Sequence, residues 1–251
     1  MTYPEGLKII RKKSIYSTNL FLKENFNNYS DISPLIIIAN EQTAGRGQGD
    51  HKWFSPRNTG IYISFLFKLS TGSDIGLLPM CTGNSIVESL KKKVNIKCSL
   101  KWPNDIEFEG KKLGGILTEN SFLKENVISI IGIGLNVNNK INEFPQELSE
   151  KATSLSLICG KDFKTEPIIM EIATQLTNRI SKIKKGKGRE IAEEYKSFLK
   201  HKAGDLISFH HSGKSIKGYF AGINSSGGII LKTGTGETKI FYSGEISTNI
   251  R

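Results

Sequence analysis

A glycine-rich stretch between residues 41 and 59 is the first candidate for a ligand-binding loop. Its centre reads Gly45-Arg46-Gly47-Gln48-Gly49, with glycines at alternate positions. Glycine lets backbone N–H groups approach a ligand closely, and the guanidinium of Arg46 could bind a carboxylate or a phosphate. The spacing fits neither a P-loop nor a dinucleotide fingerprint. Taken alone, such a turn is more often a plain surface loop.

A second cluster consists of Lys101-Trp102-Pro103-Asn104-Asp105, followed seven residues later by Lys112-Leu113-Gly114-Gly115. Asn104 and Asp105 could form hydrogen bonds within a turn or hold a hydrated cation. A hairpin between the two segments would fold Lys112 back beside Asp105. The alternative is an Asx-type turn with a lysine in solvent.

Two further segments could approach a ligand. The segment Gly132-Ile133-Gly134-Leu135-Asn136-Val137-Asn138 reads as a strand with glycines where a neighbour comes close, although the glycines could equally mark a bulge. The segment Gly186-Lys187-Gly188-Arg189 precedes a predicted helix, whose N-terminus could bind an anion. A hinge between two helices is the more ordinary explanation of that segment.

The elements that must position these segments follow from hydrophobic periodicity and turn residues. The patterns predict strands at 7–12, 35–39, 61–69, 96–102, 105–109, 112–119 and 127–138, and helices at 18–26, 74–93, 165–184 and 189–200. Ser17 or Thr18 can cap the first helix. Strands and helices do not alternate strictly, so we expect an α+β fold: a mixed β-sheet domain with packed helices (residues 1–202) and a small C-terminal SH3-like β-barrel (residues 203–251).

Composition restricts the class of protein. The 251 residues are 37% hydrophobic, which suffices for one sizeable core and a small appendage. The longest apolar stretch, Val127 to Leu135, is far shorter than the ~18 residues that span a bilayer, and residues 1–13 do not resemble a secretory signal. Three widely spaced cysteines fit reduced thiols, and four scattered histidines predict no zinc site. We therefore expect a cytoplasmic protein without a membrane segment.

The positive charge is uneven. The formal net charge is +11, and residues 179–202 hold nine Lys or Arg against three Glu. Such a stretch could contact nucleic acid, an anionic membrane surface or an acidic protein. A solvated helix face is the ordinary alternative.

Taken together and in this order, the motifs resemble those of the biotin protein ligases. They are Ser17-Thr18-Asn19, the glycine-rich stretch from Gln42 to Trp53, KWPND at 101–105, KLGGIL at 112–117 and GIGLNVN at 132–138. The likeness covers nearly the whole chain and implies a class II aminoacyl-tRNA synthetase-like catalytic domain before the barrel. It also implies that ATP, with Mg²⁺, activates biotin to biotinyl-5′-AMP, and that biotin is then transferred to a lysine of a biotin carboxyl carrier protein or domain.

The resemblance implies roles for individual residues. Lys112 and Arg46 match cationic positions that neutralise the reacting anions, and we expect Lys112 to be the main electrostatic catalyst because a strand fixes it better than a loop. Ser17, Thr18 and Gln42 match positions that bind the ureido ring of biotin. Trp53 matches a residue that packs against adenine, and Asn136 one that binds the edge of that base.

The full sets of site residues follow from the same resemblance. The biotin-binding set is Ser17, Thr18, Asn19, Gln42, Arg46, Gly47, Gln48, Lys112 and Gly115. The ATP or adenylate set is Trp53, Asn104, Asp105 and Asn136. Asp105 is expected to orient Mg²⁺ or the incoming lysine, and no other metal ligand is assigned.

The glycine-rich loop departs from the family pattern GRGRxGR. Gln48 stands where a second arginine is common, and Asp50 and His51 replace the following Gly and Arg. This loss of charge leaves more of the retention of the adenylate to Arg46. We expect the loop to close over the adenylate and to protect it from hydrolysis. No residue is assigned near Asn249, where some family members place an arginine on the nucleotide.

The remaining expectations concern partners. Ser17 lies sixteen residues from the start, which leaves no room for a DNA-binding helix-turn-helix of about sixty residues. We therefore expect a ligase that binds no DNA. We also expect its basic stretch to contact an acidic carrier domain. The sequence leaves open whether the protein forms a homodimer. The alternatives are a lipoate or octanoate protein ligase and a non-catalytic biotin-sensing or nucleic-acid-binding module.

Overall fold

The large sheet of the protein is mixed and has seven strands. The computed structural model describes residues 2–29, 31, 34–211 and 213–247. The strands of this sheet are β1 (Lys8–Lys12), β2 (Leu35–Ala39), β3 (Gly60–Ser70), β4 (Ser99–Lys101), β5 (Asp105–Phe108), β6 (Lys111–Phe122) and β7 (Asn126–Asn136). Their order is β1-β2-β3-β7-β6-β5-β4, with β1 and β2 parallel and the other neighbours antiparallel. Long strands β3, β6 and β7 form its centre.

Helices cover both faces of this sheet. They are α1 (Thr18–Asn25), α2 (Leu78–Val94), α3 (Leu155–Cys159), α4 (Thr165–Lys184) and α5 (Gly188–Phe198). Leu22 of α1 packs with Ile37 and Leu66, whereas α2, α4 and α5 join the core that contains Ile36 and Phe65. Because successive residues of a strand point to opposite faces, α1 lies on one face of the sheet and the larger helices lie on the other.

The sequence analysis placed the start of one helix wrongly and missed another helix. Residues 75–77 form a 3-10 turn, and the α-helix begins at Leu78 rather than Asp74. Pro79 lies in the first turn of α2, where its missing N–H costs no helical hydrogen bond. The short helix α3 was missed, although Ser154 caps its start and Gly160 ends it with a left-handed backbone.

The C-terminal strands form a second, antiparallel sheet. They are β8 (Leu206–His211), β9 (Lys214–Ile223), β10 (Ile229–Lys232), β11 (Thr238–Phe241) and β12 (Glu245–Ser247). Their order is β11-β10-β9-β8-β12. A mixed sheet with helices followed by an all-β unit confirms the predicted α+β class. The closure of this second sheet into a barrel stays a prediction.

The two sheets are joined by a buried tryptophan. Trp102 is 2% exposed, and its indole Nε1 donates to the carbonyl of Gly227 at 3.0 Å. Its ring centroid lies 5.8 Å from that of Phe209 on β8. Because Trp102 lies in the same turn as Asn104, this contact also fixes one wall of the cleft described below.

No helix among the described residues is both long and apolar enough to cross a membrane.

His201 lies in the connection between α5 and β8 and makes the stability of this junction sensitive to pH. Burial, with a contribution from Lys200, lowers the pKa of His201, although the carboxylate of Asp205 lies 3.9 Å from its Nδ1. A group whose pKa is lower in the folded than in the unfolded protein binds protons preferentially in the unfolded state. Stability is therefore lost as the pH falls below about 6.5.

We predict that His201→Gln flattens the acid side of the stability profile. The free energy of unfolding, measured by urea denaturation between pH 8 and 5, should fall less steeply with acidification in His201→Gln than in the wild type. His210→Gln, which changes an exposed histidine of β8, serves as the control and should keep the wild-type slope. Equal slopes for all three proteins would contradict the assignment.

Candidate active site

The predicted site residues meet in one cleft. This cleft has a volume of about 1200 Å³ and lies on the face of the large sheet that carries α1. Gln42 and residues 46–54 form one side, and β12 with the end of β8 and Gly213 forms another. All thirteen residues assigned from the sequence line it: Ser17, Thr18, Asn19, Gln42, Arg46, Gly47, Gln48, Trp53, Asn104, Asp105, Lys112, Gly115 and Asn136.

The start of α1 forms the polar end of the cleft. Ser17 is the N-cap of α1, and its hydroxyl accepts from the backbone N–H of Leu20. Gln42 Oε1 accepts from the backbone N–H of Thr18 at 2.9 Å and from its hydroxyl at 3.0 Å. Gln42 Nε2 donates to Ser55 Oγ at 2.9 Å. The amide of Gln42 is therefore held in one orientation at the point where the chain enters α1.

A residue missed by the sequence analysis, Ser64, lies directly behind this polar end. Ser64 is fully buried on β3, and its hydroxyl lies 2.7 Å from Thr18 Oγ1 and 2.6 Å from Asn19 Oδ1. Asn19 Nδ2 donates to the carbonyl of Leu117 at 3.1 Å. The available signal was a serine between Ile63 and Phe65 in a largely apolar strand. A buried hydroxyl in a strand needs a partner, and here the partners are site residues.

The loop at 41–59 folds back on itself. The structure places no helix or strand between Asn40 and Thr59, as predicted, but Arg46 and Lys52 form an isolated antiparallel bridge. The N–H of Gly47 donates to the carbonyl of His51 at 2.7 Å, and the N–H of Trp53 donates to the carbonyl of Gly45 at 2.9 Å. A side chain at Gly45 would overlap that backbone, so this glycine permits the close return of the chain.

Trp53 lies on the floor of the cleft. A Cβ at Gly134 of β7 would overlap its indole, and a Cβ at Gly115 of β6 would lie 3.3 Å from its ring. The Nζ of Lys112 lies 5.7 Å from the ring centroid, which is within cation–π range. The indole Nε1 is buried without a hydrogen-bond partner among the described residues. The glycines of β6 and β7 thus provide the space for this ring.

Lys112 is fixed by a carboxylate. Its Nζ lies 2.6 Å from Asp105 Oδ1, which confirms the predicted hairpin that folds Lys112 back beside Asp105. The same carboxylate lies 3.9 Å from Lys101 Nζ, a lysine that also lines the cleft. The Lys112 side chain is 40% exposed, so its ammonium is directed by Asp105 but still reaches the open cleft. One carboxylate between two ammonium groups leaves a local excess of positive charge.

Two asparagines complete the wall. Asn104 Nδ2 donates to the carbonyl of Ile116 at 2.9 Å, and Asn136 Nδ2 donates to the carbonyl of Thr153 at 3.0 Å. Each amide is thus oriented by one backbone bond. Asn136 is the last residue of β7 and lies at the same end of the sheet as Gly60 of β3.

The second sheet contributes residues that the sequence analysis did not assign. His210, His211 and residues 243–247 line the cleft, as does Lys200. The Nδ1 of His211 lies 2.9 Å from the carbonyl oxygen of Ser243, which orients the ring at the cleft wall. Asn249, near which no residue was assigned, lies outside the described residues.

The segment from Gly186 to Arg189 does not line the cleft. A Cβ at Gly188 would lie 2.5 Å from Asp74 Oδ2, so a carboxylate already occupies the N-terminus of α5. In the region of the chain that the structure describes, no group of three or more His, Cys, Asp or Glu could hold a metal ion.

The basic stretch at 179–202 also lies apart from the cleft for most of its length. It belongs mainly to α4 and α5, on the face of the sheet opposite α1. Four of its nine cations form ion pairs within the stretch, and a fifth pairs with β5: Arg179 with Glu194, Lys182 and Lys187 with Glu190, Lys196 with Glu193, and Lys200 with Glu107. The expectation that this stretch meets an acidic carrier domain finds no support in its placement.

Comparisons with known proteins agree on one family. The Biotin/lipoate A/B protein ligase family matches residues 12–138, and the Biotin protein ligase C terminal domain matches residues 210–248. The bifunctional ligase/repressor BirA of Bacillus subtilis is 32% identical over 261 residues, which cover 96% of this chain and 74% of that protein. The Biotin--[acetyl-CoA-carboxylase] ligase of Mycobacterium tuberculosis is 31% identical over 147 residues, 55% of this chain and 51% of that protein.

A solved structure extends the similarity to the whole fold. The biotin protein ligase from Aquifex aeolicus in complex with biotin and ATP has a TM-score of 0.80 and 31% sequence identity. The superposition covers 96% of this chain and 97% of that one.

The packing of Trp53 on Gly134 can be tested by substitution. Gly134→Ala would overlap the indole, so we expect the ring to leave the cleft floor at a stability cost of about 1–3 kcal/mol. Acrylamide quenching should then increase for Trp53, while buried Trp102, the second of the two tryptophans, stays protected. The control is Gly72→Ala, because a Cβ there meets nothing within 4 Å. Unchanged quenching in Gly134→Ala would rule out this packing.

Proposed function

The chain belongs to the biotin/lipoate A/B protein ligase family as a biotin protein ligase, and from this premise we propose how its cleft performs the reaction. ATP activates biotin to biotinyl-5′-AMP, and biotin then passes to a lysine of a biotin carboxyl carrier protein or domain. In the first step a carboxylate oxygen of biotin attacks the α-phosphorus of ATP and pyrophosphate leaves. In the second step a lysine amine attacks the acyl carbon, loses a proton and displaces AMP. The carrier belongs to a biotin-dependent carboxylase, as in the relative from Mycobacterium tuberculosis.

The assignment of roles depends on one observation: two cations, Lys112 and Arg46, come from different elements of the fold and line the same cleft. Lys112 stands on β6 and Arg46 on the glycine-rich loop. Two anions can approach each other only if their charge is neutralised, and fixed cations do this without reorganising during the reaction. Lys112 is held by Asp105 at 2.6 Å, whereas Arg46 depends on the position of a loop. We therefore assign the main electrostatic role to Lys112.

The polar end of the cleft is proposed to bind the ureido ring of biotin. Ser17, Thr18 and Gln42 supply hydroxyl and amide groups there, and Asn19 is fixed behind them by Ser64. A polar ring buried in a protein requires such partners. Gly115, Gly47 and Gln48 line the same cleft and complete the proposed biotin-binding set.

The adenylate is proposed to bind at the other end. Trp53 offers an aromatic face in the cleft, and Asn136 and Asn104 offer amide groups held by the backbone. Closure of the loop at 41–59 would exclude water from the reactive mixed anhydride. Backbone hydrogen bonds at Gly45 and Gly47 fold this loop back on itself, and such a loop could close over the ligand as a unit.

Mg²⁺ is proposed to enter with the triphosphate. Mg²⁺ in such sites is held by one or two carboxylates together with substrate phosphates. Asp105 is the carboxylate that lies beside Lys112 in the cleft, but it already binds two lysines. This chain therefore fits a metal held mainly by phosphate oxygens, with Asp105 positioning Lys112.

We further propose a cytoplasmic ligase that binds no operator DNA and consists of two domains. The free cysteines Cys81, Cys98 and Cys159 support a reducing, cytoplasmic location. The internal pairing of the basic stretch supports a ligase that does not bind operator DNA. The separate sheets support the division into residues 1–202 and 203–251. A homodimer stays a prediction.

Removal of the Lys112 charge should abolish most of the adenylation. Lys112→Met is expected to lower biotin-dependent ATP–pyrophosphate exchange by roughly 10²-fold or more, since a preorganised charge contributes that much to a charged transition state. The matched control is Lys111→Met, because Lys111 is the preceding, exposed residue of β6. An exchange rate near wild type in Lys112→Met would refute the role of this ammonium.

Substrate class can be decided in one assay. With ATP and Mg²⁺, we expect pyrophosphate release with biotin and label transfer to an isolated carrier domain, and no release with lipoate or octanoate. Chelation of Mg²⁺ should stop the reaction. Release with lipoate and none with biotin would overturn the proposal in favour of the lipoate ligases.

A further inference from the structure

Arg46 has a specific partner outside the assigned site. Its Nη1 lies 3.5 Å from Oε1 of Glu119, and among the described residues no other carboxylate forms an ion pair with Arg46. Glu119 stands on β6, the strand that also carries Lys112. It is absent from the sequence-based assignment and does not line the cleft. The loop cation is thus tied to the central sheet by one carboxylate.

Glu119 is suited to this task because it is fixed and charged. Lys23 of α1 donates to its Oε1 at 2.9 Å, and Asn19 donates to its Oε2 at 3.1 Å. The side chain is only 16% exposed. Burial raises the pKa of Glu119, but its contacts with Lys23 and with Asn19 and Arg46 outweigh this effect, so its pKa lies below the usual value.

The same carboxylate connects to the polar end of the cleft. Asn19, which donates to Glu119, accepts from buried Ser64, and Ser64 also contacts Thr18. Thr18 bonds Gln42 at the entry of the loop. A continuous set of hydrogen bonds therefore runs from Gln42 at the start of the loop to Glu119 on β6, and the ion pair of Glu119 extends it to Arg46.

We propose that Glu119 is a positioning residue that holds Arg46 over the cleft and thereby retains the bound adenylate. The proposal rests on the proposed function, because the ligand that Arg46 meets is the biotinyl-AMP formed there. A guanidinium has five N–H donors, and the pair with Glu119 uses one end of the fork. The remaining donors can meet an anionic group in the cleft while the carboxylate fixes their direction.

This role matters because the centre of the loop, residues 45–51, holds no Lys or Arg besides Arg46. Gln48 replaces an arginine that is common in the family, and Asp50 adds negative charge. Arg46 must then work from a defined position. An arginine free to rotate loses side-chain entropy on binding, whereas one already paired loses less.

The test compares two substitutions that act on the same carboxylate oxygen. Glu119→Gln removes the charge that holds Arg46, and we expect pre-formed biotinyl-AMP to leave the enzyme about fivefold faster, in line with the contribution of one exposed to half-buried ion pair. Lys23→Met removes the competing cation and leaves Arg46 as the ionic partner of Glu119. It should retain biotinyl-AMP at least as long as the wild type.

A merely structural role would give a different pattern. If Glu119 only anchored α1 through Lys23, the two substitutions would release the adenylate equally fast, and the proposal would be wrong. In an Arg46→Gln background, Glu119→Gln should have no additional effect. Additive effects in this double-mutant cycle would also overturn the proposal.

Two further measurements separate the possible failures. Trypsin cleavage after Arg46 and Lys52, with and without biotin and ATP, reports on the position of the loop independently of turnover. Ligand should protect it in the wild type and less in Glu119→Gln. If Glu119→Gln does not fold, Glu119→Asp, which withdraws the carboxylate by one methylene, is measured with the same expectation.

Failure of the inference and failure of the function are distinguishable. A wild-type protein without biotin-dependent pyrophosphate release contradicts the proposed function. Normal release in the wild type, combined with unchanged adenylate retention and loop protection in Glu119→Gln, contradicts only the role of Glu119.

Discussion

The cleft depends on the close approach of side chains from other elements to the backbone of β7. A Cβ at Gly132 would overlap the amide of Asn19, and a Cβ at Gly134 would overlap the indole of Trp53. These two glycines point to the same face because they are two residues apart on one strand. One of them accommodates the polar end of the cleft, and the other accommodates the aromatic floor. Both ends of the site therefore depend on the absence of side chains at these two positions of β7.

Two groups of charges in or beside the cleft are each arranged around one carboxylate. Asp105 lies between Lys112 and Lys101, and Glu119 lies between Arg46 and Lys23. In each group one carboxylate holds two cations in place. Each group therefore keeps a net positive charge. Repulsion between unpaired cations in a partly buried cleft would be costly. This pairing allows the protein to present positive charge to anions without leaving its own side chains unsatisfied.

Much of the fold could be predicted from the sequence, and the reasons for the misses are physical. Strands such as β2 and helix α4 follow from hydrophobic periodicity and were predicted at their observed bounds. The start of α2 was misplaced because Gly76 and Pro79 weaken a helix without fixing where it begins. All assigned site residues line one cleft, but they were assigned from family motifs and not from periodicity. Ser64 and Glu119 were missed because their roles depend on hydrogen-bond partners 45 or more residues away in the sequence.

Net charge is a poor guide to where this protein binds anions. The strongest concentration of basic residues lies on α4 and α5, on the face of the sheet opposite α1, and much of it is neutralised within those helices and their neighbours. Lys200 at the end of this stretch lines the cleft, but five other lining cations lie outside it, namely Arg46, Lys52, Lys101, Lys112 and Lys151. Distant charges are screened by salt over about 10 Å, whereas a cation held in a cleft acts at contact distance. Geometry around Asp105 and Glu119, rather than the total of +11, therefore determines where this chain can meet the carboxylate and the phosphates of its substrates.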